Sequence, residues 1–206
     1  MLLIPNLSGE LGKIRGRAAR LISHVFNAPV MAALAFVWLL LAENSSLFFT
    51  HVAVALLFGT LIPLLFLFYL SRAGRIPDIY ASRRESRAVP FLGAIASYLV
   101  GAIALLATRA PRIVTALMLC YLVNSLIMML ITGRWKISVH ASGITGPATV
   151  LIYSVGIVAL PVLLLVIPVG WARVSLKAHS PAQVFAGGLL TIATTLLQLE
   201  VYLAIL

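Results

Sequence analysis

Residues 47–70 read Leu-Phe-Phe-Thr-His-Val-Ala-Val-Ala-Leu-Leu-Phe-Gly-Thr-Leu-Ile-Pro-Leu-Leu-Phe-Leu-Phe-Tyr-Leu, with no Asp, Glu, Lys or Arg. A hydrocarbon core about 30 Å thick is crossed by about 20 apolar residues in a helix, so this stretch predicts a membrane span. Similar runs lie on both sides of it. Leu21–Ala42, Phe91–Thr108, Ile113–Thr132 and Val184–Leu206 each have the length and apolarity of a crossing. The polar links Glu43–Ser46 and Arg109–Arg112 make hairpins of the first and second pairs. Gly143–Leu176 is too long for one crossing; Gly156 and Pro161 suit a break into two short helices, although proline could also merely kink one long helix. The reading is an all-α, polytopic transmembrane bundle of about six or seven crossing helices. Its parts are a basic segment 1–20, an N-terminal hairpin 21–70 and a core 71–206.

Composition agrees. The chain of 206 residues is 62% hydrophobic and 10% charged, with mean hydropathy +1.11, whereas soluble domains run near 45–50% apolar and about 25% charged. That excludes disordered, collagen-like, disulfide-scaffold and soluble-enzyme classes. The single Cys120 lies in an apolar run and forms no internal disulfide. The notable number is the net charge of +10, because charge is costly in a bilayer.

With seven crossings, thirteen of the fifteen cations fall on one face: Lys13, Arg15, Arg17, Arg20, Arg72, Arg75, Arg83, Arg84, Arg87, Arg134, Lys136, Arg173 and Lys177. Only Arg109 and Arg112 fall on the other. A single crossing of Gly143–Leu176 would leave eleven against four. The positive-inside bias assigns the cation-rich face to the cytoplasm, and the expected location is the cell membrane.

Three polar loops share that face: Ser71–Pro90, with Asp78, Arg83, Arg84, Glu85 and Arg87; Gly133–Gly143, with Arg134, Lys136, His140 and Ser142; and Trp171–Gln183, with Arg173, Lys177 and His179. Arginine forks match phosphate oxygens. Ser142-Gly143 at the start of a helix would offer N–H groups and a positive dipole end to an anion. Histidine can attack phosphorus or move a proton. His24 and His51, away from these loops, read as interhelical packing, and Glu200 near the chain end as an interfacial carboxylate.

In order and spacing the loops resemble the type 2 phosphatidic acid phosphatase superfamily of membrane lipid-phosphate phosphatases. Its pattern runs Lys-x6-Arg-Pro, then Pro-Ser-Gly-His, then Ser-Arg-x5-His-x3-Asp. Arg173 and His179 reproduce the third spacing, Ser142-Gly143 the centre of the second, and Arg84 to Pro90 a loose first motif. The likeness covers about residues 72–200. By this resemblance His179 is the nucleophile and Arg173 a phosphate clamp, with Arg84, Arg87, Lys136, Ser142 and Gly143 as further phosphate contacts. The chain departs from the pattern in several places. No Lys precedes Arg84 or Arg87 by seven residues, Ala141 and Ile144 replace the second Pro and His, Ala172 the Ser, and Gln183 the Asp. His140, four residues before Ile144, is assigned the leaving-group acid role by inference. Gln183 would orient His179 through its amide oxygen without stabilising the imidazolium as a carboxylate does.

The resemblance implies a metal-independent hydrolase without cofactor, acting through a phosphohistidine on an isoprenyl or glycerolipid phosphate, with lipid bilayer and not nucleic acid as partner. The alternative is a non-catalytic lipid-phosphate binder or scaffold. A transporter fits less well, because the polar residues gather at one surface, not the midplane. The five acids are too few and too scattered for the two aspartate-rich motifs of an intramembrane prenyltransferase.

Overall fold

In hydrocarbon each backbone N–H and C=O must be paired within its own segment, which leaves helices or closed barrels. The computed structural model describes residues 7–79, 81 and 83–206, the side chains of residues 7–10 excepted, and no strand occurs among them. The first six residues of the basic segment lie outside this set. Five helical stretches are long and apolar enough to cross a membrane, six if one bent pair counts as a span.

That bent pair is α1 (Leu7–Val25) and α2 (Ala28–Ala42), which meet at 42°. The sequence predicts one uninterrupted span, Leu21–Ala42. Asn27 interrupts it by capping α2: its Oδ1 accepts from the Val30 N–H at 2.9 Å, its Nδ2 donates to the His24 carbonyl at 2.8 Å, and Pro29 occupies the first turn.

The next span, Phe48–Arg72, contains α3 (Phe48–Leu56), a π-helical turn at Leu57–Leu61 and α4 (Ile62–Arg72). Pro63 has no N–H to donate, and five residues back, in π register, lies Phe58. Ser97 donates to that Phe58 carbonyl at 2.7 Å. Helix α5 (Ala88–Ala107) and helix α6 (Arg112–Thr132) form the expected second hairpin. His51 is buried at the far end, with Nδ1 2.6 Å from Ser45 Oγ and Nε2 3.2 Å from the Thr108 carbonyl. It ties the two hairpins together, the interhelical role expected of it.

Val139–Ser175 is helical almost throughout, as α7 (Val139–Val155), a 3-10 turn, α8 (Leu160–Leu164) and α9 (Val166–Ser175). It folds back on itself. A Cβ on Gly188 would meet both Thr145 Cγ2 at 3.4 Å and Val166 Cγ2 at 3.9 Å. In a straight helix residues 145 and 166 would stand about 32 Å apart. The reversal falls at Gly156, whose φ of +80° suits glycine. The two-helix reading of this stretch is therefore the one adopted. Helix α10 (Pro181–Ile205) completes the chain.

The main core joins α2, α5, α6, α7 and α10 through Phe36, Leu39, Leu105, Leu117, Val150 and Leu199. Small residues let helices approach closely, as expected where lipid removes the hydrophobic drive between them. A Cβ on Gly59 would lie 2.6 Å from Phe36. Cys120 is buried in this core, and Leu65, Ile103, Leu197 and Val201 face outward. Asn124 on α6 accepts from Thr194 and Gln198 and donates to Thr195, fastening α6 to α10. Glu200 accepts from the Tyr153 hydroxyl at 3.2 Å in an exposed pair.

Candidate functional site

The site begins with the local fold between α9 and α10. Arg173 closes α9, and its carbonyl accepts from both the Ala178 N–H (3.0 Å) and the His179 N–H (3.3 Å). The five intervening residues thus wrap into one turn, with Lys177 at φ +54°. Both side chains end up buried, Arg173 5% and His179 6% exposed. Ser180 then caps α10 in a capping box with Gln183.

That capping box orients the imidazole. Gln183 Oε1 accepts from the Ser180 N–H at 3.1 Å, which identifies it as the amide oxygen. The same atom lies 3.2 Å from His179 Nδ1. Since Oε1 only accepts, Nδ1 carries the proton and Nε2 of the neutral ring carries the lone pair.

The second loop docks onto the same turn. Ser138 N–H donates to the Gln183 carbonyl at 3.2 Å, and a Cβ on Gly187 would lie 2.6 Å from the Ser138 carbonyl oxygen. Backbone meets backbone here, so position 187 has no room for a side chain. The first loop, Ser71–Pro90, is fastened by Arg87, 5% exposed, whose Nε donates to the Ala81 carbonyl (2.9 Å) and Nη1 to the Ile137 carbonyl (3.0 Å).

The result is a cluster of positive charge around His179. Burial first, then Arg87, Arg173 and Lys136, push its pKa down to about 3, against the opposing hydrogen bond from Gln183. Lys136 is lowered by burial and by Arg87 and Arg173, with Asp78 and Glu85 acting the other way. His179 is therefore neutral at physiological pH.

His140 lies within electrostatic reach of Arg173, His179, Arg87 and His24. The structure thus brings together His179, His140, Arg173, Arg87, Lys136 and Gln183. It places three others elsewhere. Arg84 is at the surface, its side chain 38% exposed, held by Glu85 Oε1 at 3.3 Å and donating to the Arg134 carbonyl at 2.7 Å. Ser142 and Gly143 do not open a helix, because Ser138 caps α7 and accepts from the Ala141 N–H at 3.3 Å. The Ser142 N–H already donates to the Ser138 carbonyl within the helix, and its hydroxyl receives Thr191 Oγ1 at 2.7 Å. Gly143 is a packing glycine: a Cβ there would run into Ala28 Cβ.

His24 is the residue that sequence reasoning assigned to packing. It lines a cavity of about 240 Å³ together with His140 and Arg87. The signal that marks it is the Asn27-Ala28-Pro29 cap, which ends α1 just beyond His24. No protein-family model, no curated protein and no solved structure matches this chain.

Proposed function

We propose that this chain is an integral-membrane lipid-phosphate phosphatase, akin to the type 2 phosphatidic acid phosphatases. The observation that carries the reading is His179: a neutral imidazole in one tautomer, beside cations drawn from three separate loops. Its Nε2 lone pair forms a bond to phosphorus as the P–O bond to the lipid breaks. Arg87, Arg173 and Lys136 stabilise the charge that grows on the phosphoryl oxygens. His140 delivers a proton to the departing oxygen. Water then attacks the phosphohistidine and gives a proton back to His140, the P–N bond breaks, and phosphate leaves with the ring restored.

A second reading has its own support. Gln183 is uncharged, so the phosphohistidine side of the reaction lacks the carboxylate that would steady a positive ring. A protein that binds lipid phosphates without turning them over would have this composition.

Purified protein in detergent, given phosphatidate or an isoprenyl diphosphate with EDTA present, separates the two. Phosphate release that His179→Ala and Arg173→Ala abolish supports the enzyme. Release unchanged in His179→Ala refutes the nucleophile, and tight binding without release favours the binder. The charge bias favours the cytoplasmic side of the cell membrane for this site. Labelling of Ser180→Cys in a Cys120→Ala background only from outside would reverse that placement.

A further inference from the structure

The cavity beside His140 has two kinds of wall. At one end stand Arg87, His140 and His24; the rest is mostly apolar, including Pro63, Leu64 and Leu67 of α4 and Phe91 of α5, with Asn27, Ser125 and Tyr98 as its polar members. Leu64 is 41% exposed and the adjoining Leu65 55% exposed, so the slot opens beside the outward face of α4. A smaller cavity of about 70 Å³ shares Ala28, Phe91, Tyr98, Ser125 and Val139 with the first and continues inward toward Cys120 and Asn124.

The fold explains why the slot exists. The 42° bend at Phe26-Asn27 turns α2 away from the line of α1, and the cavity borders that break through His24, Asn27, Ala28 and Pro29. Asn27 is committed to the cap, through Val30 and the His24 carbonyl. The N-terminal helix pair, which lies outside the phosphatase-like stretch of the sequence, thereby supplies one wall of a space that ends at the basic cluster.

We infer that this cavity seats the lipid part of the substrate, with the proximal chain against Leu64, Leu67 and Phe91 and with His24 contacting the headgroup beside His140. The inference rests on the lipid-phosphate reading. Charge complementarity fixes which end holds the headgroup, and the opening beside α4 fixes the side from which the chain arrives. At about 240 Å³ the slot falls below the roughly 300–1,000 Å³ of pockets that enclose a drug-sized ligand. It holds the first part of one chain, and the remainder lies in the bilayer.

The test compares two probes on purified protein in detergent, inorganic phosphate and dioctanoyl phosphatidate, by thermal unfolding at increasing ligand concentration. Wild-type protein is stabilised by both, and by the lipid at much lower concentration. Leu67→Trp fills the slot and lowers the ratio of lipid-phosphate to inorganic-phosphate affinity by about tenfold or more. Leu64→Trp, at an exposed position that tolerates a larger side chain, does the same. His24→Ala weakens both probes severalfold, because both carry the phosphate it contacts, and His24→Gln recovers part of that. If Leu67→Trp and Leu64→Trp keep the wild-type ratio and His24→Ala binds both probes as wild type does, while Arg87→Ala weakens both, the slot is refuted and the phosphate site stands. If neither probe stabilises wild-type protein, the phosphate reading fails and the slot fails with it.

Discussion

Replacing Gln183 with Glu exchanges the amide NH2 for oxygen, so that the acceptor facing His179 becomes part of a carboxylate, and leaves the capping box intact, since glutamate serves that motif equally well. The carboxylate would stand where Oε1 now lies, 3.2 Å from His179 Nδ1 and 3.1 Å from the Ser180 N–H. With charge centres about 4 Å apart and an effective dielectric of about 20, the attraction for imidazolium is about 4 kcal/mol, or about 3 pKa units. His179, now depressed to about 3, should titrate near 6 in Gln183→Glu. Proton–carbon NMR of the imidazole Cε1–H in micelles reads this directly, with His179→Gln identifying the resonance.

Stability gives a second readout. In the wild type the folded pKa lies below the unfolded value of about 6.5, so the unfolded state binds more protons between the two. Stability is therefore full above about pH 6.5 and falls on acidification toward pH 3, by up to about 1.4 kcal/mol per pH unit. Gln183→Glu nearly closes the gap and should flatten that acid limb. A folded Gln183→Glu protein whose His179 still titrates below about pH 4 would refute the Nδ1–Gln183 contact and the tautomer derived from it.

Three further outcomes follow from the packing. Gly187→Ala puts a Cβ 2.6 Å from the Ser138 carbonyl oxygen; the loops must separate, so lipid-phosphate turnover should drop by tenfold or more with a smaller loss of melting temperature. Arg87→Lys cannot span both the Ala81 and Ile137 carbonyls, so it should behave like Arg87→Ala in phosphate release, not like wild type. Gly143→Ala should cost about 1–3 kcal/mol by overpacking, read by thermal melting in detergent, and Ala28→Gly in the same chain should recover part of it because Ala28 Cβ is the nearest obstacle.

The helical crossings were legible because they depend on composition and length alone. An uncharged run such as Leu47–Leu70 has no alternative to a helix in hydrocarbon, whatever its neighbours do. The same holds for the reversal at Gly156 and for the turn that brings Arg173 to His179, where short-range sequence decides the backbone. The bend at Asn27 was also written locally, in an N-cap followed by proline, but the surrounding apolarity masked it.

What only the tertiary structure decided concerns residues that meet across distance. Arg84 and Arg87 look alike in sequence, yet one is pinned to the surface by Glu85 and Arg134 while the other is buried between the Ala81 and Ile137 carbonyls. Ser142 and Gly143 carry an anion-binding pattern, but α7 begins four residues earlier at Ser138 and the glycine is consumed by contact with Ala28. His24 lies well over a hundred residues from His140 and reaches the same cavity only through the break after α1. A sequence states which groups can bind phosphate. Which of them share one space depends on helix rotation and close backbone approach, and those are set by long-range packing.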